Sequence, residues 1–409
     1  MNRSQHFLGA VRGIGPERLK LLGVLTGGHF FVHWFQQLFP VILPTLKTGL
    51  ALNDVQVGAL NSARQFTMAS LDLPLGILAD SAVRQRALVL ALALALMGAA
   101  YSLIGIAPVF VWALCGAGLV GLGTALWHPA AAASLSTRFP ERRATALAIH
   151  GMGATVGDTL TPLGAGFLLV SFPWQKVLGF QILPATVLGF LVWRGLKNLF
   201  AERESSRQGS ARMQEITQLA RNPVFLGISV ATGLLQMGRL VVITFLPIYL
   251  QEHLHYSPFV LGMYIALLHA MGTISQPLMG FLSDRLGRKA VLFPSYIALG
   301  VLFLMLGIVT PGVPLALSIG AIGLFFYTLM NIAHAAAMDV AGSGIQASSY
   351  GLVSLLTHVV VFPTPMIAGF LIGLYGIRFA FLLAGSLVVL GGLVWLPFKL
   401  HGGSLQSKT

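Results

Sequence analysis

Side chains able to hold charge or move a proton lie inside long apolar runs of this sequence: Arg64, Asp72, Asp158 and Arg239, with His29, His33, His128, His150, His269, His334 and His358. At the centre of a helix in hydrocarbon each of the four charges costs roughly 2.5–3.5 kcal/mol, so together they oppose burial by about 10–14 kcal/mol unless they face protein or water. A solvated central path compensates that cost. A guanidinium there stays charged and grips a carboxylate or phosphonate through two parallel hydrogen bonds. Arg239 is therefore read as the main contact to an anionic or zwitterionic solute, with Arg64 adding a second positive charge. Imidazole titrates near neutral pH and can carry a proton or touch an anion. His29 and His33, four apart, share one helix face, and they join His128 and His334 as solute contacts. Asp72, Asp158, His150 and His358 are the candidates for coupling a proton. The plainer alternative for each is a hydrogen-bonded packing residue, or a side chain snorkelling to an interface. Carboxylate partners are sparse and no tight ligand spacing appears, so a metal pathway is the less favoured reading, and no cofactor, metal or catalytic residue is expected.

The elements that must position these groups follow from composition. The chain has 409 residues, 56% hydrophobic and 9% charged, with mean hydropathy +0.82. Soluble proteins carry about 25% charged residues, so hydrocarbon is the solvent that fits. A spanning helix needs about 20 apolar residues, and runs near 21–45, 55–79, 87–106, 109–136, 143–170, 176–196, 224–250, 258–283, 290–309, 314–338, 348–373 and 378–398 supply them. The expected fold is an all-α membrane protein with twelve transmembrane helices in two pseudo-symmetric six-helix bundles, residues 1–196 and 223–409, joined by a cytoplasmic linker over 197–222. The net charge of +13 does not form a nucleic-acid face. Lys47, Lys176 and Arg378 fall in one set of loops, Arg64 and Arg239 fall in spans, and every other Lys and Arg lies in the alternate set or the termini. That asymmetry puts both termini in the cytoplasm of a plasma or bacterial inner membrane. The first apolar run has no small-residue cleavage site and reads as an uncleaved span. The lone Cys115 excludes an intramolecular disulfide.

The halves repeat. GILADSAVRQRALVL begins at Gly76 and GFLSDRLGRKAVLF at Gly280, pairing Asp80 with Asp284 and Arg84 with Arg288. At nearly the same offset Pro44 matches Pro247, Gly58 matches Gly262, His128 matches His334, and Pro162 matches Pro365. Parallel six-span repeats place a substrate site at their interface near the midplane.

Gly-x-x-x-Asp-Arg-x-Gly-Arg-Lys, complete from Gly280 to Lys289 and altered at Ser81 and Val83 in the first copy, resembles the loop motif of the major facilitator superfamily. Local stretches resemble its fosmidomycin-resistance group of exporters: His29 to His33 with Gln36, Trp127-His128-Pro129, Gly153 to Pro162, and Arg239 ahead of Phe245 to Leu250. The resemblance implies that the first, fourth, seventh and tenth helices line a cavity, with Gln36 among the solute contacts. It also implies a gating latch of Gly76, Asp80, Arg84, Gly280, Asp284, Arg285, Gly287 and Arg288. Carboxylates there face helix N-termini, and arginines complete the network. Asp72-Leu73 stands where that group has Gln-Pro, and Ala117 where many proton-coupled members carry Arg.

The function expected is secondary transport: export of a small anionic or drug-like solute by proton-coupled alternating access. The partners are the solute, a proton and the bilayer, with no nucleic acid, and the chain is expected to act as a monomer. Import of a small organic anion on the same fold is the alternative. A non-transporting sensor lacks a soluble signalling module, and an ATP-driven pump lacks a GxxxxGK[ST] loop.

Overall fold

With no water in hydrocarbon, a spanning backbone must satisfy its own N–H and C=O groups, which leaves this apolar chain the helix or the closed barrel. The computed structural model describes residues 15–81, 83–199, 217–341 and 346–398, with side chains described except at 72–73, 76–81, 144 and 346–351. Helices fill these ranges: α1 (Pro16–Gly49), α2 (Asp54–Ser81), α3 (Arg86–Gly105), α4 (Phe110–Arg138), α5 (Arg143–Ser171), α6 (Trp174–Gly179), α7 (Ile182–Leu196), α8 (Pro223–Ile248), α9 (Pro258–Leu286), α10 (Arg288–Met305), α11 (Val313–Phe326), α12 (Thr328–Ala341), α13 (Gln346–Val361), α14 (Thr364–Tyr375) and α15 (Arg378–Val394). Among the described residues there is no strand.

Among the described residues eight stretches are long and apolar enough to cross a membrane, from Val83–Gly105 through Leu352–Tyr375. α1, α2 and α5 are at least as long as half of them, at 34, 28 and 29 residues, but carry more polar residues; α15 has 17. The outer surface is rich in exposed large apolar side chains such as Leu183, Leu278, Phe281 and Ile308, while His29, Asp158, Arg239, His269 and His334 are buried. Water would penalise such a surface, and lipid does not.

Local signals set several helix ends. Pro223 and Pro258 occupy first-turn positions, where their missing N–H costs nothing. The Asn222 side chain accepts from Val224 N and Phe225 N, and that of Ser257 from Val260 N. α9 stops at Gly287, whose φ of +94° suits glycine. Three expected single spans are broken instead, at Phe180–Gln181, Tyr327 and Phe362–Pro363. Pro363 explains the last break through its missing N–H. At Tyr327 there is no Pro or Gly; its hydroxyl bonds His269 Nδ1 at 2.7 Å and its ring lies under Arg239, so tertiary contacts set that break.

The repeat acquires a physical meaning where the N-terminal and C-terminal halves meet. A Cβ built on Gly58 of α2 would lie 2.1 Å from the Pro365 carbonyl of α14, and one on Gly262 of α9 would lie 2.2 Å from the Pro162 carbonyl of α5. Their companions obey the same exchange: Gly369 sits 2.2 Å from Asp54 O, and Gly166 sits 2.5 Å from Pro258 O by the same measure. Repeat-related helices thus cross reciprocally, backbone on backbone, at the end of the molecule that carries Lys47.

At that end Lys47 Nζ donates to Asp54 Oδ1 at 2.7 Å and to Glu252 Oε2 at 2.8 Å, the second bond crossing between halves. Burial works against its charge, but the two carboxylates outweigh it and hold the ammonium above its ordinary range. The ammonium is therefore charged throughout the neutral range, and its contribution is lost as pH rises through that raised value. Lys47→Met leaves two carboxylates facing each other. It is expected to cost the closed end about 1–2 kcal/mol, roughly tenfold in the closed-to-open ratio. Labelling of an Asn61→Cys probe from the Lys47 face, in a Cys115→Ser background, measures this; an unchanged rate rules the tie out as a gate.

Candidate solute site

The buried polar residues converge from both halves. Gly153 and Gly157 of α5 bring that helix against α1, where a Cβ on either would meet Thr26 O at 2.2 Å or Phe30 O at 2.6 Å. Gly28 lets Trp127 of α4 pack against α1 on another side, its ring 2.1 Å from where a Cβ would stand. This close approach places His29, His33, His128, His150 and Asp158 together. His33 Nδ1 lies 2.8 Å from Asp158 Oδ1, and Gln37 Nε2 donates to the same oxygen at 2.9 Å. His29 stacks on His150 at 3.9 Å between centroids and meets His33 and His128 edge-on at 4.7 and 5.4 Å. Asp158 is the one carboxylate buried among the described residues. Uncompensated, it would be expelled or neutralised.

The facing wall comes from α8, α9, α11 and α12. Arg239 of α8 is buried, donates through Nη1 to Gln236 Oε1 at 2.9 Å, and lies over Phe326 at 4.5 Å and Tyr327 at 5.1 Å. Its Nε has no acceptor among the described residues. The two rings supply cation–π attraction in place of a counter-ion, so the guanidinium keeps its charge and spare donors. Asp158 acts electrostatically on Arg239, His269 and Tyr327, joining the two walls. His334 is buried within electrostatic reach of Arg239 and His358.

Arg64 takes a different position. Its Nη1 donates to Gln36 O at 3.1 Å and its guanidinium stacks over Phe39 at 4.9 Å, with Nε lacking a partner. Gln36 thus serves Arg64 through its carbonyl, while its own Nε2 is buried without a partner. Asn61 of α2 donates to Thr244 of α8 at 2.6 Å, a neutral link across the halves.

The structure places the loop-motif residues apart from this centre. Arg288 bonds Asp284 through Nη1, Ser283 Oγ at 3.2 Å, and Asp339 Oδ2 at 3.1 Å. All four residues belong to the C-terminal half, so this network ties α9, α10 and α12 to one another. Arg285 lies over Phe281 at 6.0 Å, a Cβ on Gly280 would meet nothing within 4 Å, and Arg84 is exposed. The side chains of Asp72 and Asp80, and the surroundings of Gly76, lie outside the described residues.

Several contributors escaped the sequence reading. Gln37, one turn beyond His33, reaches Asp158. Gln236, Phe326 and Tyr327 cradle Arg239, and Glu252 completes the Lys47 tie. Gln37 and Gln236 had a usable signal, their four- and three-residue spacings from His33 and Arg239; Phe326, Tyr327 and Glu252 are remote in sequence from the groups they serve and had none.

The profile described as Major Facilitator Superfamily matches residues 25–275 and 228–408. Among curated relatives, the fosmidomycin resistance protein of Escherichia coli (strain K12) is 24% identical over 294 residues, 70% of each chain. The uncharacterized MFS-type transporter YfnC of Bacillus subtilis (strain 168) is 24% identical over 310 residues, 74% of each. Among solved structures, a bacterial homologue of the human lysosomal transporter Spinster, inward-facing and unoccupied, superposes with TM-score 0.78 at 16% identity, covering 94% of this chain and 97% of that one. A mutant of the nucleoside transporter NupG gives TM-score 0.76 at 15% identity, covering 94% and 100%.

Proposed function

The chain belongs to the Major Facilitator Superfamily, and from that premise we propose that it exports a small anionic or drug-like solute, coupled to protons, by rocking two six-helix bundles about a central site. The bundles are residues 16–196 and 223–394, and the solute lies between Arg239 on one side and the His29, His33 and His128 rings on the other. The observation that carries the reading is Arg239: a buried guanidinium with aromatic support, a neutral hydrogen-bond partner and an unpaired Nε. A carboxylate or phosphonate supplies what it lacks. The fosmidomycin resistance relative supports export of such a compound. Asp158, held by His33 and Gln37, is the carrier assigned to the proton.

Import is favoured by one electrostatic observation. An anion arriving at Arg239 offsets the positive charge that Asp158 faces, so solute and proton would load together. Proteoliposome flux under an imposed pH gradient separates the two. For export by exchange, solute accumulates on the acidic side; for co-transport, on the alkaline side. Thermal stabilisation of purified protein by phosphonate antibiotics and anionic metabolites, at two pH values, tests the solute class. Stabilisation by cationic compounds alone would remove the anion site.

A further inference from the structure

We propose that His29, His33 and His128 form a binding site for a divalent first-row transition-metal ion, held through their Nε2 atoms. One ring nitrogen from each residue lies within 4.8 Å of the others. The second observation is the partner of each Nδ1. His29 Nδ1 faces His150 O at 2.9 Å, His33 Nδ1 faces Asp158 Oδ1 at 2.8 Å, and His128 Nδ1 faces Thr124 O at 2.9 Å. A carbonyl or an ionised carboxylate only accepts, so each Nδ1 carries the proton and each Nε2 presents a lone pair. This is how a metal-binding imidazole is oriented: its far N–H is donated to a carbonyl or carboxylate, which fixes the ring and raises its basicity. His29 Nε2 is buried with no partner among the described residues, a cost that a metal bond would remove.

The rings sit on a stiff support. Gly153 and Gly157 hold α5 backbone-close to α1, Gly28 seats the Trp127 ring of α4 against α1, and His29 meets both His33 and His128 edge-on. Tetrahedral Zn²⁺ with bonds of 2.0–2.1 Å sets its nitrogens about 3.3 Å apart, and small rotations about the imidazole torsions close the difference. Imidazole donors select Zn²⁺, Co²⁺, Ni²⁺ or Cu²⁺ over Mg²⁺ or Ca²⁺. Three protein ligands leave a fourth position for a water or an anion. The two nearest in sequence are four residues apart, but His128 lies on another helix, so no spacing motif announces the site. The site stands independently of the solute's charge and of the direction of transport.

The test is a titration of purified full-length protein, freed of its affinity tag and of metal by chelator. ZnCl₂ is followed by calorimetry and Co²⁺ by its visible ligand-field bands. One ion per chain is expected, with the intense bands of four-coordinate cobalt. His128→Ala is expected to weaken binding at least tenfold, whereas changing both exposed loop histidines, His253→Ala with His255→Ala, leaves it unchanged. Asp158→Asn keeps all three imidazoles and is expected to weaken binding about tenfold through ring orientation alone. Absence of a bound ion in the wild type overturns the site without reference to any variant. Binding that survives His128→Ala, or that disappears with the loop pair, overturns it as well.

Discussion

Arg239→Ala abolishes solute flux while the protein inserts and folds at wild-type levels. Truncating one partner of a buried, hydrogen-bonded charge pair costs about 2–5 kcal/mol, or roughly 30- to 4000-fold in affinity. Here the loss falls on the solute, because among the described residues the guanidinium is satisfied only by Gln236 and the Phe326 and Tyr327 rings. Folding is spared for the same reason: among the described residues no carboxylate hydrogen-bonds to Arg239, and Asp158, which acts on it only at a distance, keeps its bonds to His33 and Gln37. Arg239→Lys keeps the charge without the planar fork and is expected to retain weak, less selective transport. Counterflow in proteoliposomes, with melting temperature measured on the same preparations, checks both variants. Full flux through the alanine variant would end the role assigned to Arg239.

Gly262→Val, and Gly58→Val as its repeat-related twin, prevent closure of the end that carries Lys47. At both positions the first atom added meets a backbone carbonyl, at 2.2 and 2.1 Å, and a backbone cannot rotate aside as a side chain does. The helices must part by about 1 Å or more, and overpacking of that kind costs typically 1–3 kcal/mol. A closed-to-open ratio falls by about 5- to 150-fold. Flux drops by at least tenfold because one half of the cycle is poorly populated, while solute binding persists. Gly280→Val, where a Cβ meets nothing within 4 Å, is the control. Distances between spin labels on α2 and α14 report the opening directly, and wild-type distances in both valine variants would refute the mechanism.

Much of the fold was legible because bilayer helices must be long, apolar and punctuated. The runs fell where the helices lie, although α1 extends several residues beyond 21–45 at each end. The offset between Gly58 and Gly262, and between Pro162 and Pro365, was visible in the sequence. That each glycine rests on the other half's proline was not, since an offset says which residues correspond and not which ones touch. Likewise the four-residue spacing of His29 and His33 put them on one face, but nothing local tied them to His128 or His150. Lys47 read as an exception to a charge rule; its carboxylates, Asp54 and Glu252, come from two different helices. The Asp284–Arg288 pair was readable at helical spacing, whereas its partner Asp339 lies on α12 of the same half, which makes the network a brace within that half.

The four glycine-to-carbonyl approaches carry one last implication. Surfaces without side chains have no knobs to disengage, so parting them requires no rotamer changes and lubricates the motion, while their flatness tolerates no protruding atom. Such a seam combines easy separation with strict fit. Drift at any one of its positions would unbalance the cycle long before it threatened the folded chain.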